Sequence, residues 1–281
     1  MNGTYASSSI HMAGLKIMVE LRGRLHNFGH SQMLQRILTW TDFAYCTTWN
    51  EKPIFPLLPH LSGTSAQFPS HLLSPLPKIL QMGLLYLPHI QPRVFEILHS
   101  LHQISSAITW SLNQKEAATQ LERKQISMAV YTTEYALLLL RSSEEDTAIT
   151  ELVHNVFNLS NVLLLAAHLY LHLAIRELPG TAKMHLNMLN QLYRAIPDNL
   201  SVAVLLWDNS SLEVVIWVLF IGAAAADGHA CRKFFVQKLR EVIVVLEVLN
   251  RVEFEETLRG VLWLNRFCKT HCFQVWAEMG I

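Results

Sequence analysis

The 281 residues carry no charge excess: 22 lysines and arginines balance 22 aspartates and glutamates. A neutral chain sets up no field to attract a polyanion, so sequence-specific DNA binding by this chain alone is not expected. Cysteine is scarce. Cys46, Cys231, Cys268 and Cys272 are too few and too scattered for a disulfide framework, which points to a reducing intracellular compartment. Met1 to His11 is polar and serine-rich with no apolar stretch, so no secretory signal is expected. No apolar run suits a membrane. Leu159 to Ile175 contains Ser160, Asn161, His168 and His172, and Val214 to Ala226 is short and flanked by Glu213 and Asp227. A span needs about 20 mostly apolar residues, so both runs read as buried helices.

Catalytic signatures are missing as well. There is no G-x-x-x-x-G-K-S/T loop, no G-x-G-x-x-G after a strand and no G-x-S-x-G elbow. A Ser/His/Asp triad leaves no sequence signature, because its members meet only in space. Glu144-Glu145-Asp146 and the stretch from Asp208 to Glu213 do not match the D-D-x-x-D and N-D-x-x-S-x-x-x-E spacings by which helical terpene cyclases hold Mg²⁺. Metal ligands are few. Cys268, His271 and Cys272 lie together without a further neighbour in sequence, and tetrahedral zinc sites take three or four ligands. His168 and His172 have the i, i+4 spacing of a helical chelate and His99 and His102 the i, i+3 spacing, but Leu169 stands where H-E-x-x-H places its glutamate. These groups read as ordinary thiols and as satisfied core or boundary histidines. No catalytic, cofactor-binding or metal-ligating residue is assigned.

What the chain has in abundance is apolar residues, 51% of the total, arranged at helical spacing. Leu15, Met18, Leu21, Leu25 and Phe28 form one stripe, and Leu34, Ile37, Leu38 and Trp40 another after Gly29. Six of the ten prolines fall between Pro53 and Pro77, so residues from about 50 to 78 form a long non-helical connection. Later stripes are Val94, Ile97, Leu98, Leu101, Ile104 and Ile108, then Leu121, Met128, Tyr135, Leu138 and Leu139. Ser143 with Asp146 resembles a capping box opening the helix of Leu152, Val156, Leu163 and Leu169, which Pro179-Gly180 ends. Met184, Met188, Leu192 and Ile196 give a shorter helix. Leu212 to Ala226 is apolar all round and is the expected centre of the fold. The stripes Phe235, Leu239, Val242, Leu246, Leu249 and Phe254, Leu258, Val261, Leu262 complete the pattern. Arg232, Lys233, Lys238 and Arg240 read as a solvated helix side, and Trp40 and Asp42 as a packed indole and a surface carboxylate. Neither sustained alternation nor an internal repeat is present, so the expected fold is an all-α, orthogonally packed multi-helix bundle of one domain over residues 1–281.

Two stretches carry a resemblance. Leu21-Arg22-Gly23-Arg24-Leu25, Gly29, Ile37-Leu38-Thr39-Trp40-Thr41-Asp42 and Pro53-Ile54-Phe55-Pro56 follow one another within the first, from Leu15 to Pro56. Within the second, Leu212 to Glu278, Val215 to Gly222 precede Arg232-Lys233-Phe234-Phe235-Val236 and then Leu262-Trp263. This order resembles the fungus-specific transcription-factor domain that follows a zinc-cluster DNA-binding module, with Arg24 in place of the second glycine of R-G-G-L. The resemblance implies a nuclear transcription regulator acting through protein contacts or a small-molecule response, with no catalytic residues and an effector that stays unnamed. A zinc cluster draws on six closely spaced cysteines, more than this chain holds. A homodimer or a zinc-cluster transcription factor is the expected partner. The alternatives are a detached helical adaptor or truncated gene product, and an all-α enzyme without recognisable motifs.

Overall fold

The computed structural model describes residues 4–28, 31–63, 68–84, 87, 90–113, 119–148, 158–200 and 208–281. Among these residues the secondary structure is helical, without strands. The first half contains α1 (Tyr5–Leu21), α2 (Gln32–Trp49), the short α3 (Lys78–Met82), α4 (Pro92–Asn113) and α5 (Gln120–Ala148). The second contains α6 (Leu159–Tyr170), which widens into a π-helical turn at Leu171–Ile175, then α7 (Lys183–Ala195), α8 (Asn209–Ala225), α9 (Arg232–Val245), α10 (Arg251–Arg259) and α11 (Asn265–Met279). The all-α expectation holds. No described helix is long and apolar enough to cross a membrane.

α8 has no polar face, and every residue from Ser210 to Ala225 is buried. A helix of this kind is stable only when other helices surround it. Here α6, α7, α9, α10 and α11 all pack on it. Asp208 starts it by accepting hydrogen bonds from the Ser211 amide and hydroxyl, satisfying an N-terminal donor. Trp217, fully buried, donates its indole N–H to the Leu262 carbonyl at 2.9 Å and meets the Tyr170 ring edge-on. Gly222 lets α9 approach: a Cβ there would lie 2.4 Å from the Phe235 ring. The main core therefore draws on residues between Phe68 and Met279, while two small clusters join α1, α2, the connection that follows and, through Leu138, α5.

Several expected stripes need correction. In α1 the buried residues are Met12 and Val19, with Leu15 partly covered, while Met18 and Leu21 face solvent. Both sets have helical spacing, and the position of α2 selects between them. In α2, Leu34 and Ile37 are exposed, whereas Gln35, Leu38, Thr39, Asp42, Phe43 and Cys46 are buried. Leu121 and Leu139 of α5 also face outward, and Leu249 lies exposed beyond α9. Ser143 and Asp146 lie within the backbone of α5 and open no new helix. The next described helix, α6, is capped by Asn158, whose side chain accepts from the Asn161 amide; Leu152 and Val156 lie outside the described residues.

The break after α1 places Gly23 at φ +82° and Arg24 at φ +75°. A side chain in this left-handed region costs roughly 1 kcal/mol that glycine avoids. Arg24→Gly is therefore expected to raise stability by up to about 1 kcal/mol, partly offset by the freer unfolded chain. Urea denaturation checks this, and a destabilised variant would show that the Arg24 side chain holds the turn.

Candidate functional site

Asp42 is fully buried, contrary to the surface position expected for it. Its carboxylate reaches the proline-bracketed turn: Oδ1 accepts from the Ile54 amide at 3.1 Å, and Oδ2 from the Ile54 and Phe55 amides at 3.0 and 2.9 Å. The Cys46 thiol donates to Oδ1 from one helical turn away. Burial pushes the Asp42 carboxyl up, and these three donors act in the opposite direction. Pro53 and Pro56 fix the backbone around Ile54 and Phe55 so that both amides point at one carboxylate. The W-x-D and P-I-F-P segments are thus two halves of one clamp between α2 and the connection.

Trp40, partly buried, belongs to a second cluster made by α2, α5, α6 and α7. Glu134 of α5 has no exposure to solvent, and neither do His168 and His172. One Glu134 oxygen accepts from His172 Nε2 at 2.8 Å and the other from the Arg176 guanidinium. That guanidinium lies 4.9 Å from the ring centres of both Trp40 and Tyr131, a cation–π sandwich that shields the pair from water. The π-helical turn delivers His172 to this pair, with Arg176 directly after it. On the neighbouring side Arg141 donates to His168 Nδ1 at 2.9 Å and to Gln191 Oε1 at 2.7 Å. His185 Nδ1 donates to the Pro179 carbonyl at 2.7 Å, with its ring 5.2 Å from that of His172.

The electrostatics follow from these partners. Burial alone would raise the Glu134 carboxyl, but Arg176 and His172 outweigh it and hold it below its ordinary range. Burial pushes His168 well below the usual imidazole value, and the neighbouring His172 and Arg141 push the same way. Burial, reinforced by His172, takes His185 down to about 4.

Ligand atoms of Glu134, His168 and His172 lie within 4.8 Å of one another, the spread of a metal site. Hydrogen bonds already use His168 Nδ1, His172 Nε2 and both Glu134 oxygens, while His168 Nε2 and His172 Nδ1 are buried with no hydrogen-bond partner among the described residues. Arginine has no acceptor, so His168 Nδ1 must offer its lone pair to Arg141 and, in the neutral ring, carry its hydrogen on Nε2. Both Glu134 oxygens are taken. Binding a metal through Glu134 would compete with its bonds to His172 and Arg176 and place a cation beside two guanidiniums. The arrangement is a polar strut joining three helices, with no nucleophile at its centre.

The remaining candidates also lock the fold. Cys268 and Cys272 are buried in α11, and burial raises their thiols to about 12 and about 11, which makes them unreactive. No third ligand joins them among the described residues. His102 is buried on α4 and reaches the Ser74 carbonyl at 3.4 Å. The solvated basic face holds for Lys233 and Arg240, which are exposed, and needs correction for the other two: Arg232 is buried and grips Glu278 of α11 through Nε and Nη2 while giving Nη1 to the Ala223 carbonyl at 2.7 Å. Lys238, also buried, bonds the Asp198 carbonyl and Glu241. Glu134, Arg141, Arg176 and His185 drew no attention in the sequence. One signal was available, since Val130, Glu134, Leu137 and Arg141 share a single helical stripe and place two charges on a core face.

A family model described as fungal specific transcription factor domain matches residues 1–261. No curated protein matches, and no solved structure does.

The geometry makes two predictions. Asp42→Asn turns an amide NH₂ toward backbone donors and should cost about 2 kcal/mol, the scale of a buried unmet hydrogen bond; an unchanged urea midpoint would refute the clamp. His185 sits lower in the folded chain than its ordinary value near 6.5, so on acidification the unfolded chain takes the proton first. Stability should therefore fall as pH drops from about 6.5 toward about 4, and His185→Gln should flatten that slope in denaturation curves taken across this range.

Proposed function

Because the chain belongs to the fungal specific transcription factor domain family, we propose that it is a non-catalytic regulatory unit of a nuclear transcription regulator. In this reading it acts through protein contacts or a small effector and does not read DNA sequence by itself. The observation that carries it is the family match over residues 1–261, which spans every described helix from α1 to α10. The buried polar groups favour the same reading, since the clamp at Asp42 and the strut at Glu134 engage their own chain. Net charge is zero, the four cysteines are fewer than a zinc cluster draws on, and Arg232 and Lys238 are spent on internal bonds. None of these features supplies a base-reading device.

A contact surface is available on the first two helices. Ile10, Ile17 and Leu21 of α1 and Met33 and Ile37 of α2 are between 48% and 83% exposed, an unusual concentration of large apolar side chains in water. The α9 stripe is not this surface, because Phe235, Leu239 and Val242 are fully buried. The partner is a second copy of the chain or a zinc-cluster transcription factor. Exposed positions tolerate charge, so Ile17→Glu with Leu21→Glu should abolish association while circular dichroism and thermal unfolding stay unchanged. Leu239→Glu should unfold the chain. A wild-type chain that sediments as a monomer and retrieves no transcription factor, identified by mass spectrometry, from fungal nuclear extract would overturn the reading.

A further inference from the structure

A cleft of about 510 Å³ opens between the Pro-rich connection, the C-terminal half of α4 and the junction of α10 with α11. Its size lies within the range of small-molecule sites. Among its lining residues are two half-buried indoles, Trp110 and Trp263, and the guanidinium of Arg259, with no aspartate or glutamate. The Arg259 guanidinium lies 4.3 Å from the Trp263 ring centre. Trp263 is itself held by its N–H, which donates to Asn265 Oδ1 at 2.7 Å. Arg259 commits Nε and Nη2 to Glu255 at 3.1 and 2.7 Å, so its orientation is fixed while Nη1 makes no bond to any described residue. Also in the lining, the hydroxyls of Ser74 and Ser106 lie 2.6 Å apart and can share a hydrogen bond with a third hydroxyl.

We propose that this cleft is a binding site for a small aromatic carboxylic acid of the hydroxybenzoate class. Three features of the lining select that chemistry. A flat ring gains stacking and apolar contact against indole and proline faces that a flexible chain does not gain. A carboxylate takes a charge-assisted bond from the spare Arg259 nitrogen, whose plane is set in advance by Glu255 and Trp263. Glu255 pairs with that guanidinium from outside the lining, so no carboxylate in the cleft wall competes with the ligand for Nη1. A ring hydroxyl can bond the paired serines. The Pro-rich connection contributes Ser74, and Pro75 and Pro77 stiffen that wall. This assignment rests on the regulatory reading and gives that unit its effector.

Isothermal titration calorimetry on the full chain tests it with three probes. 4-Hydroxybenzoate should bind saturably. 4-Hydroxybenzamide, which keeps the ring and loses the charge, and cyclohexanecarboxylate, which keeps the charge and loses the plane, should each bind at least about tenfold more weakly. Arg259→Gln, at an exposed position, should weaken 4-hydroxybenzoate about tenfold and leave thermal unfolding unchanged. Thr109→Phe, which fills the cleft from α4, should abolish binding. No saturable heat with 4-hydroxybenzoate, equal affinity for all three probes, or an Arg259→Gln variant that binds like wild type would each overturn the proposal. Any of these results leaves association with a transcription factor as a separate measurement, so the cleft can fail while the regulatory reading stands.

Discussion

A helix without a polar face forces the rest of the chain to be built around it. α8 exposes none of the residues between Ser210 and Ala225, and five other helices supply the apolar surface that it needs. Burial on this scale, roughly 25 cal/mol for each Å² of apolar surface, is the dominant favourable contribution to folding. It also dictates local detail. α9 comes close only because Gly222 has no side chain, and α9 is then tied to α11 by Arg232 and Glu278. The C-terminal half of the molecule is a set of consequences of one apolar segment.

The other half depends on buried carboxylates whose oxygens are all engaged. Asp42 holds the proline-bracketed turn through backbone amides, and Glu134 holds Arg176 and His172 from two sides. Removing one partner from such a network leaves a buried donor or charge unmet, which costs far more than the bond itself contributes. Trp40 joins the two systems, since it lies two residues before Asp42 and covers Arg176. The residues that make the N-terminal stretch resemble a family pattern are therefore the ones that bind α2 to the connection and to α5 and α6. Their role is geometric, which agrees with a family defined by regulation and not by catalysis.

The sequence made the helices legible where the apolar pattern had one solution. α8 was one such case, because the unbroken apolar run from Val214 to Ala225 admits no choice of face, and α4 was another. α1 was not: Leu15-Met18-Leu21 and Met12-Leu15-Val19 have equally good helical spacing, and the choice depends on a helix elsewhere in the chain. Ser143 and Asp146 misled because a capping pattern can also occur inside a longer helix. The buried carboxylates were invisible for a different reason. Asp42 finds its donors 12 and 13 residues away and Glu134 its partners 38 and 42 residues away, separations that carry no local signature. The histidine pair was visible by its spacing, but its meaning depended on Arg141, whose inability to accept a hydrogen bond fixes the state of the ring.

The proposed regulatory role of these helices, whose buried polar groups serve the fold, is open to experiment. Tethering tests it most directly. The chain is joined to an unrelated DNA-binding module in a fungal cell, and transcription of a reporter carrying that module's site is measured. The account predicts reporter output clearly different from that of the module alone. A fusion that is folded, nuclear and bound at the site, yet indistinguishable from the module alone, would contradict it.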